Sequence, residues 1–487
     1  MKYKDGLICY PTFRPQKAYN QSVINATYRL YTPAGNPARY RMVNMKADVK
    51  QEVTSKGDIL TEVSSGPMTA IEYEPFGLSL AERLPRIHFS PKLFTFDGTQ
   101  GDMSSWQSYG IWQNSLLAGR DQLAEPIKAK LRELTAGCGT PREKVQAVYN
   151  YLAETTRYVS IQLGIGGLQP IAASDVCRAG FGDCKGLSNY THAMLKELGI
   201  PSVYTVISTD NERLLPDFSS VDQMNHAILQ VPLPEDTLWL ECTNPQLPFG
   251  YVHSSIAGHD ALLITKEGGI MCRLPSYPDS LNTQTTNASV TLTPTGGAKI
   301  KASEISHLFQ YESTAGITRL EPSHRKDYLR SGINLIQANI NNIQINEAKE
   351  VIPMIDIQYT VETEQYGNKT GNRLFIPANI FRKGFTTPDL KQRVQDIHIN
   401  YGYLDTDSIC LQIPEGYTIE SLPKTCQVTS SFGSFSSSLM IKDKEICIIH
   451  RLLMHRGIYP KDVYKDFLEF RKQIAAQYSS KIILKKE

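Results

Sequence analysis

Short stretches in which apolar and polar residues alternate run through the first part of the chain. Examples are residues 40–43, 59–63 and 68–73, and Gly, Pro, Asn and Ser separate them. Alternation with period two puts successive side chains on opposite faces of a strand, and the separating residues are typical of turns. The pattern predicts a β-rich N-terminal domain over residues 1–115.

The hydrophobic period becomes helical from about Asp121. Ile127, Leu131 and Leu134 recur at the spacing of one helix face. The run 140–143 then has the signals of a helix start, with Thr140 as N-cap, proline at the first position and Glu143 at the third. We therefore predict a mixed α+β middle domain over residues 116–285.

Alternation returns after residue 285, in stretches such as 289–292, 355–361, 397–401 and 446–449. Helical periodicity covers 323–337 and, close to the C-terminus, 461–477. These patterns predict a β-rich C-terminal domain over residues 286–487, with a helical insert and a terminal helix. The predicted fold class is α+β.

Composition excludes several classes of function. The chain has 487 residues, 41% hydrophobic and 21% charged, with a net charge of +2. Because no long basic block is present, nucleic acid is not expected as a partner. No run approaches the ~18 apolar residues of a membrane-spanning helix. The apolar stretch 7–10 is too short for the core of a signal peptide, so the protein is either cytoplasmic or exported by a signal outside this sequence.

The nine cysteines are widely spaced and form no C-x-x-C pair. A structural zinc site is therefore not expected, and the chain has no calcium loop of EF-hand spacing. We expect neither a metal nor a cofactor. The odd number of cysteines leaves at least one unpaired.

Cys184 differs from the other cysteines in its context. It follows Gly180-Phe181-Gly182-Asp183 and precedes an amphipathic helix that ends at Gly199. Unpaired backbone N–H groups and the positive end of the helix dipole favour a thiolate at such a position. The N–H of Cys184 could also donate to a developing oxyanion. A single cysteine at a helix start is also compatible with a structural role. A catalytic role therefore requires a second residue that can act as a base.

His226 opens a predicted strand, 226–231, and a second predicted strand, 238–242, follows a short turn. If Val231 faces Asp236 across this hairpin, His226 faces Glu241 on the same side of the sheet. Glu241 would then orient the imidazole, as a catalytic triad requires. Cys242 would point to the opposite face, which argues against it as a rival nucleophile.

These residues resemble the transglutaminase-like superfamily, whose core is shared with papain-type cysteine proteases. The similarity runs from about Glu143 to Leu263, and its order of Cys, His and acid is the family order. Segments 156–170 and 248–251 resemble a bacterial branch with one β domain before the core and another after it. The motifs that carry the resemblance are 149–152 (YNYL), 156–158 (TRY), 182–185 (GDCK), 225–226 (NH) and 239–243 (WLECT).

The resemblance implies a papain/transglutaminase-like core flanked by β-rich domains, with Cys184 as nucleophile, His226 as base and Glu241 as orienting acid. The family commonly has Asp at the third position, so Glu241 is a departure. Asn244 is the alternative orienting residue, by analogy with the asparagine of papain-type enzymes. Gln162 and Tyr158 are the candidates for the second oxyanion donor.

The sequence thus predicts a cysteine hydrolase, a protease or amidase, that acts on a peptide amide or isopeptide bond through a thioester at Cys184. One alternative is a protein-glutamine transglutaminase, and the other is a degenerate, non-catalytic core that binds a peptide or partner. The expected partner is a protein or peptide substrate, and the flanking β domains are candidates for binding other proteins. The resemblance favours an exported or periplasmic location, and the alternative is a cytoplasmic one.

Overall fold

The computed structural model describes residues 7–244, 246–382 and 387–487. It divides into two compact units. Unit 1 comprises the residues up to Tyr73 together with Ser79–Ser276, and unit 2 comprises Glu74–Leu78 together with Tyr277–Glu487. None of the helices in the described segments has the length and apolar character needed to cross a membrane.

The N-terminal part of unit 1 consists of short antiparallel sheets. Strands β1, β6 and β3 form one sheet, β2, β5 and β4 form another, and β7 pairs with β8. The elements are β1 (Tyr10–Phe13), β2 (Ala26–Thr32), β3 (Arg39–Val43), β4 (Val49–Val53), β5 (Ile59–Ser65), α1 (Leu80–Arg83), β6 (Arg86–Ser90), β7 (Leu93–Phe96) and β8 (Thr99–Asp102).

The rest of unit 1 packs helices against an antiparallel sheet in the order β13-β12-β11-β14-β15. A short parallel pair, β9 and β10, precedes the helix that begins at Cys184. The elements are α2 (Trp106–Leu117), α3 (Glu125–Thr135), α4 (Pro141–Thr155), β9 (Arg157–Tyr158), α5 (Ala173–Ala179), β10 (Phe181–Gly182), α6 (Cys184–Glu197), β11 (Val203–Ile207), β12 (His226–Pro232), β13 (Thr237–Leu240), β14 (Asp260–Thr265) and β15 (Gly268–Arg273).

Helix α2 approaches strand β15 at a pair of glycines. A Cβ on Gly110 would lie 1.9 Å from the backbone nitrogen of Gly269, so only glycine allows this distance. The close approach places the aromatic side chains of α2, which are buried at Trp106, Tyr109 and Trp112, against the sheet. The aromatic segment is thus part of the hydrophobic core of unit 1.

Unit 2 is built around an eight-stranded sheet in the order β18-β19-β17-β16-β23-β27-β26-β25, in which β16 and β23 are parallel. A smaller sheet, β20-β21-β29-β24, and the pair β22-β28 complete it. The elements are β16 (Thr283–Leu292), β17 (Ala298–His307), α7 (Leu308–Ala315), α8 (Pro322–Gly332), β18 (Asn339–Ala348), β19 (Met354–Thr363), β20 (Asn368–Thr370), β21 (Arg373–Pro377), β22 (Ile397–Ile399), β23 (Tyr403–Gln412), β24 (Tyr417–Ser421), β25 (Cys426–Ser430), β26 (Gly433–Lys442), β27 (Glu445–Met454), β28 (Gly457–Tyr459), α9 (Tyr464–Tyr478) and β29 (Lys481–Lys486).

The α+β class is confirmed, with helices concentrated in the middle of the chain and sheets on both sides of it. Thr140 caps α4 and forms the capping box with Glu143 that the sequence indicated. The predicted strand 68–73 is wrong: Met68 makes only an isolated bridge to Val23. The predicted boundaries after residues 115 and 285 fall inside α2 and β16, and the division into three domains stays a prediction.

Candidate active site

Cys184 is the first residue of α6, where the sequence placed it. Asp183 is the N-cap, and its Oδ1 accepts the N–H of Gly186 at 2.9 Å. The preceding helix α5 ends at Gly180 with φ of 65°, a left-handed conformation that favours glycine and turns the chain into β10. The N–H of Cys184 belongs to the first turn, whose donors have no acceptor within the helix. These backbone donors are therefore available beside the thiol.

His226 and Glu241 are in direct contact. The Nε2 atom of His226 lies 2.7 Å from Oε2 of Glu241. The Glu241 side chain is only 4% exposed, and its other oxygen, Oε1, accepts the backbone N–H of Thr243 at 2.8 Å and the hydroxyl of the same residue. Because Nε2 is engaged, Nδ1 is the ring nitrogen left for the thiol, and Cys184 and His226 line the same cavity.

Burial and charge act in opposite directions on this pair. Burial lowers the pKa of His226, but hydrogen bonds and charge interactions with Cys184 and Glu241 outweigh it and raise that pKa to about 10. Burial likewise raises the pKa of Glu241, and the bonds from His226, His253 and Thr243 hold it well below its usual value. The arrangement favours an imidazolium next to a carboxylate.

The hairpin register differs from the predicted one. Val231 pairs with Leu238 rather than with Asp236, and the last observed pair is Leu229 with Leu240. If this register continued, Glu241 would face Ile228, two residues from His226. A shift of two keeps Glu241 on the same face of the sheet as His226, but on the diagonal. The extra methylene of glutamate spans that longer separation, which gives a physical reason for Glu rather than Asp.

His253 is a site residue that sequence analysis missed. Its Nε2 lies 3.4 Å from Oε2 of Glu241, so two imidazoles meet the same carboxylate oxygen. His253 lies in a stretch without regular structure between β13 and β14, twelve residues after Glu241. No periodic pattern marks such a position, and only the folded loop brings it to the acid.

A cavity beside the thiol is lined by both polar and apolar side chains. Among its lining residues are Cys184 and His226, together with Gln162, one of the predicted oxyanion candidates. Tyr158, the other candidate, lines a different and smaller cavity with Glu241 and Thr243. The remaining lining residues are Tyr109, Gln113, Gly167, Leu168, Lys185, Tyr204, Val206, Val221, Met224, Asn225 and Ala227.

Asn244, the alternative orienting residue, is exposed and makes a local contact. Its Oδ1 accepts the N–H of Gln246 at 3.1 Å. The structure thus places Glu241, not Asn244, against His226.

The rival cysteines lie in other surroundings. Cys242 is buried in the core between α6 and the sheet, and burial, the largest influence, raises its pKa to about 12. Cys410 and Cys447 form a disulfide in unit 2, which the sequence did not reveal. Within the described segments, one group of side chains has donor atoms close enough together to bind a metal ion: Cys410, Cys447 and Glu445. The two sulfurs are bonded to each other, which makes them poor metal ligands.

Comparison with known families identifies the core. Residues 128–243 match the transglutaminase-like superfamily. The chain therefore contains a transglutaminase-like core, and the resemblance read from the motifs around Cys184 is confirmed. Residues 372–484 match a family described as a domain of unknown function with a solved structure, DUF3858. Comparison with curated proteins gave no match to the chain.

A solved structure has a similar fold. A putative protease from Parabacteroides distasonis is similar to 99% of this chain over 75% of its own length, with 11% identity and a TM-score of 0.60. A putative cysteine protease from Cytophaga hutchinsonii (12% identity, TM-score 0.21) covers 46% of this chain and 70% of its own. The match to the periplasmic domain of TgpA from Pseudomonas aeruginosa (14% identity, TM-score 0.19) covers 50% of this chain and 81% of that domain.

Proposed function

We propose that the chain is a cysteine hydrolase that cleaves a peptide amide or isopeptide bond through a thioester at Cys184. The observation that carries the proposal is that Cys184 and His226 line one cavity, while the ring of His226 contacts the buried carboxylate of Glu241. A nucleophile, a base and a group that orients the base are the parts that acyl transfer requires.

In the proposed reaction, the thiol of Cys184 gives its proton to His226, Sγ forms a bond to the carbonyl carbon, and the π electron pair moves to the carbonyl oxygen. Collapse of this intermediate breaks the C–N bond, and the amine leaves with a proton from His226. Water gives a proton to His226 and attacks the thioester. Collapse of the second tetrahedral intermediate breaks the C–S bond and releases the acid, and the sulfur takes the proton back from His226. Glu241 stays ionised and stabilises the imidazolium whenever His226 holds the extra proton.

Alkylation by iodoacetamide at pH 6.5 tests the nucleophile. We expect one thiol to react faster than glutathione, because the imidazolium of His226 stabilises the thiolate. Cys184→Ala should abolish this fast phase and His226→Ala should slow it. Cys138→Ala removes another free, half-buried cysteine and should leave it unchanged. If no thiol reacts faster than glutathione, the proposal is wrong.

Turnover distinguishes hydrolysis from transfer and from binding alone. With fluorescent casein as substrate, a hydrolase releases peptides in a manner that depends on Cys184. A transglutaminase would instead incorporate monodansylcadaverine into the casein. A non-catalytic core would do neither, even if Cys184 alkylates rapidly.

A further inference from the structure

We propose that the hydroxyl of Tyr204 is the second oxyanion donor, which acts together with the backbone N–H of Cys184. The inference rests on the proposed function and extends it. The sequence suggested Gln162 and Tyr158 as the second oxyanion donor, but it gave no geometric argument for either residue. We assign this role to Tyr204 instead.

The Tyr204 hydroxyl is a buried donor without a partner. The residue lies on β11, is 3% exposed, and its Oη finds no hydrogen-bond partner among the described residues. Its side chain lines the same cavity as Cys184 and His226. Burial raises the pKa of Tyr204 well above its usual value, and the negative charges of Cys184 and Asp183 add to this effect. The hydroxyl therefore stays protonated and can donate a hydrogen bond into the cavity that it shares with the reacting sulfur.

The other buried polar groups of the cavity are already engaged. Tyr109 donates to Oε1 of Gln113 at 3.1 Å, and Gln113 donates to the carbonyl of Leu168 at 3.0 Å. Lys185 is paired with Asp183. Each of these side chains is already held in place by a bond, whereas the Tyr204 hydroxyl makes none.

Asn225, which also lines the cavity, is engaged as well: its side-chain amide bonds Thr209 and Asp210. Gln162 is exposed, so water competes for its amide.

An unpaired buried hydroxyl costs free energy in the resting protein. That cost becomes useful if the hydroxyl is preorganised for a charge that develops only during reaction. When Sγ of Cys184 bonds to the carbonyl carbon, the displaced electron pair settles on the carbonyl oxygen. A preorganised donor in the cavity stabilises that oxyanion more than water does, because the donor does not have to reorient.

The test compares two reactions of one thiol. Acylation by p-nitrophenyl acetate passes through an oxyanion, whereas alkylation by iodoacetamide does not. We expect Tyr204→Phe to slow acylation by about 100-fold and to leave alkylation unchanged. Tyr366→Phe is the matched control, because it also removes a buried hydroxyl without a partner, but in unit 2. It should change neither rate.

Each result decides the matter. Wild-type acylation in Tyr204→Phe overturns the donor role. An equal loss of acylation and alkylation overturns it too, since the hydroxyl would then act on the thiolate. A lower midpoint of thermal unfolding in Tyr204→Phe would show that the hydroxyl is already bound in the free protein, with the same consequence. If Cys184→Ala retains both reactions, the proposed function itself fails.

Discussion

At the scale of single residues, Glu241 is the residue of the candidate site that several other side chains contact. Its 4% exposed side chain accepts bonds from two histidines and from Thr243, so both oxygens are satisfied. A buried carboxylate without such partners would take up a proton. The donors around Glu241 therefore determine whether His226 is held as a cation.

Glu241→Gln should lower the pKa of His226. Burial alone lowers that pKa, and the substitution removes one of the two groups that raise it to about 10. NMR titration of the His226 ring should place its pKa in the variant clearly below the wild-type value. An unchanged titration would mean that the contact at 2.7 Å carries no charge interaction.

The same pair makes stability depend on pH. Because the folded pKa of His226, about 10, exceeds its ordinary 6.5, the stabilisation is complete below pH 6.5 and is lost as the pH rises towards 10. Glu241 has a lowered folded pKa, so its share is present above its ordinary value of 4.5 and lost in acid.

We therefore expect the difference in free energy of unfolding between wild type and Glu241→Gln to be largest between pH 4.5 and 6.5. Urea denaturation across this range and up to pH 10 measures it. A difference that grows with rising pH would contradict the assigned charges.

At the scale of elements, the register of the β12–β13 hairpin explains why a glutamate works here. The observed pairing of Leu229 with Leu240 leaves residue 241 on the diagonal from His226. The side chain of an aspartate at position 241 is one methylene shorter, so its carboxylate would not reach the ring of His226.

Glu241→Asp should therefore impair the site although it keeps the charge. We expect the rate of Cys184 alkylation at pH 6.5 to fall by about 10-fold or more. Glu235→Asp, the same change at an exposed site in the turn of the hairpin, is the control. If Glu241→Asp alkylates like wild type, the diagonal register does not determine the choice of acid.

Helix α6 contributes a second buried charge pair at its first turn. Asp183 caps the helix and also pairs with Lys185, with side chains 1% and 8% exposed. Removal of one partner of a buried pair costs more than the pair itself contributes.

Asp183→Asn keeps the cap but leaves the ammonium of Lys185 unpaired, so we expect a loss of about 3 kcal/mol in free energy of unfolding. The double variant Asp183→Asn/Lys185→Met should recover most of it. Denaturant unfolding of both variants measures this. If the single and double variants are equally destabilised, the pair is not the cause.

Local signals made much of the site predictable. The N-cap of α4, the start of α6 at Cys184 and the face shared by His226 and Glu241 follow from residue types at fixed spacings. The exact register was wrong because the turn could begin at either of two neighbouring positions. Tyr204 and His253 were missed because tertiary packing, rather than spacing along the chain, brings them to the thiol and the acid.

At the scale of the whole molecule, the contacts of the candidate site lie within unit 1 and the disulfide lies within unit 2. Cys410 and Cys447 face each other on β23 and β27, with Cα atoms 4.0 Å apart. The sequence could not reveal this bond, because it depends on the pairing of two strands that are 37 residues apart.

The disulfide should stabilise unit 2 without affecting the thiol of Cys184. Closing a loop of 37 residues restricts the unfolded chain by about 4 kcal/mol. We expect Cys410→Ala/Cys447→Ala to unfold unit 2 at lower denaturant, measured by hydrogen exchange of its strands, while Cys184 alkylates as in wild type. In the denatured wild type, dithionitrobenzoate should count seven thiols before reduction and nine after it. A count of nine thiols before reduction would contradict the disulfide. Slower alkylation of Cys184 in the double variant would contradict the expectation that the disulfide does not affect this thiol.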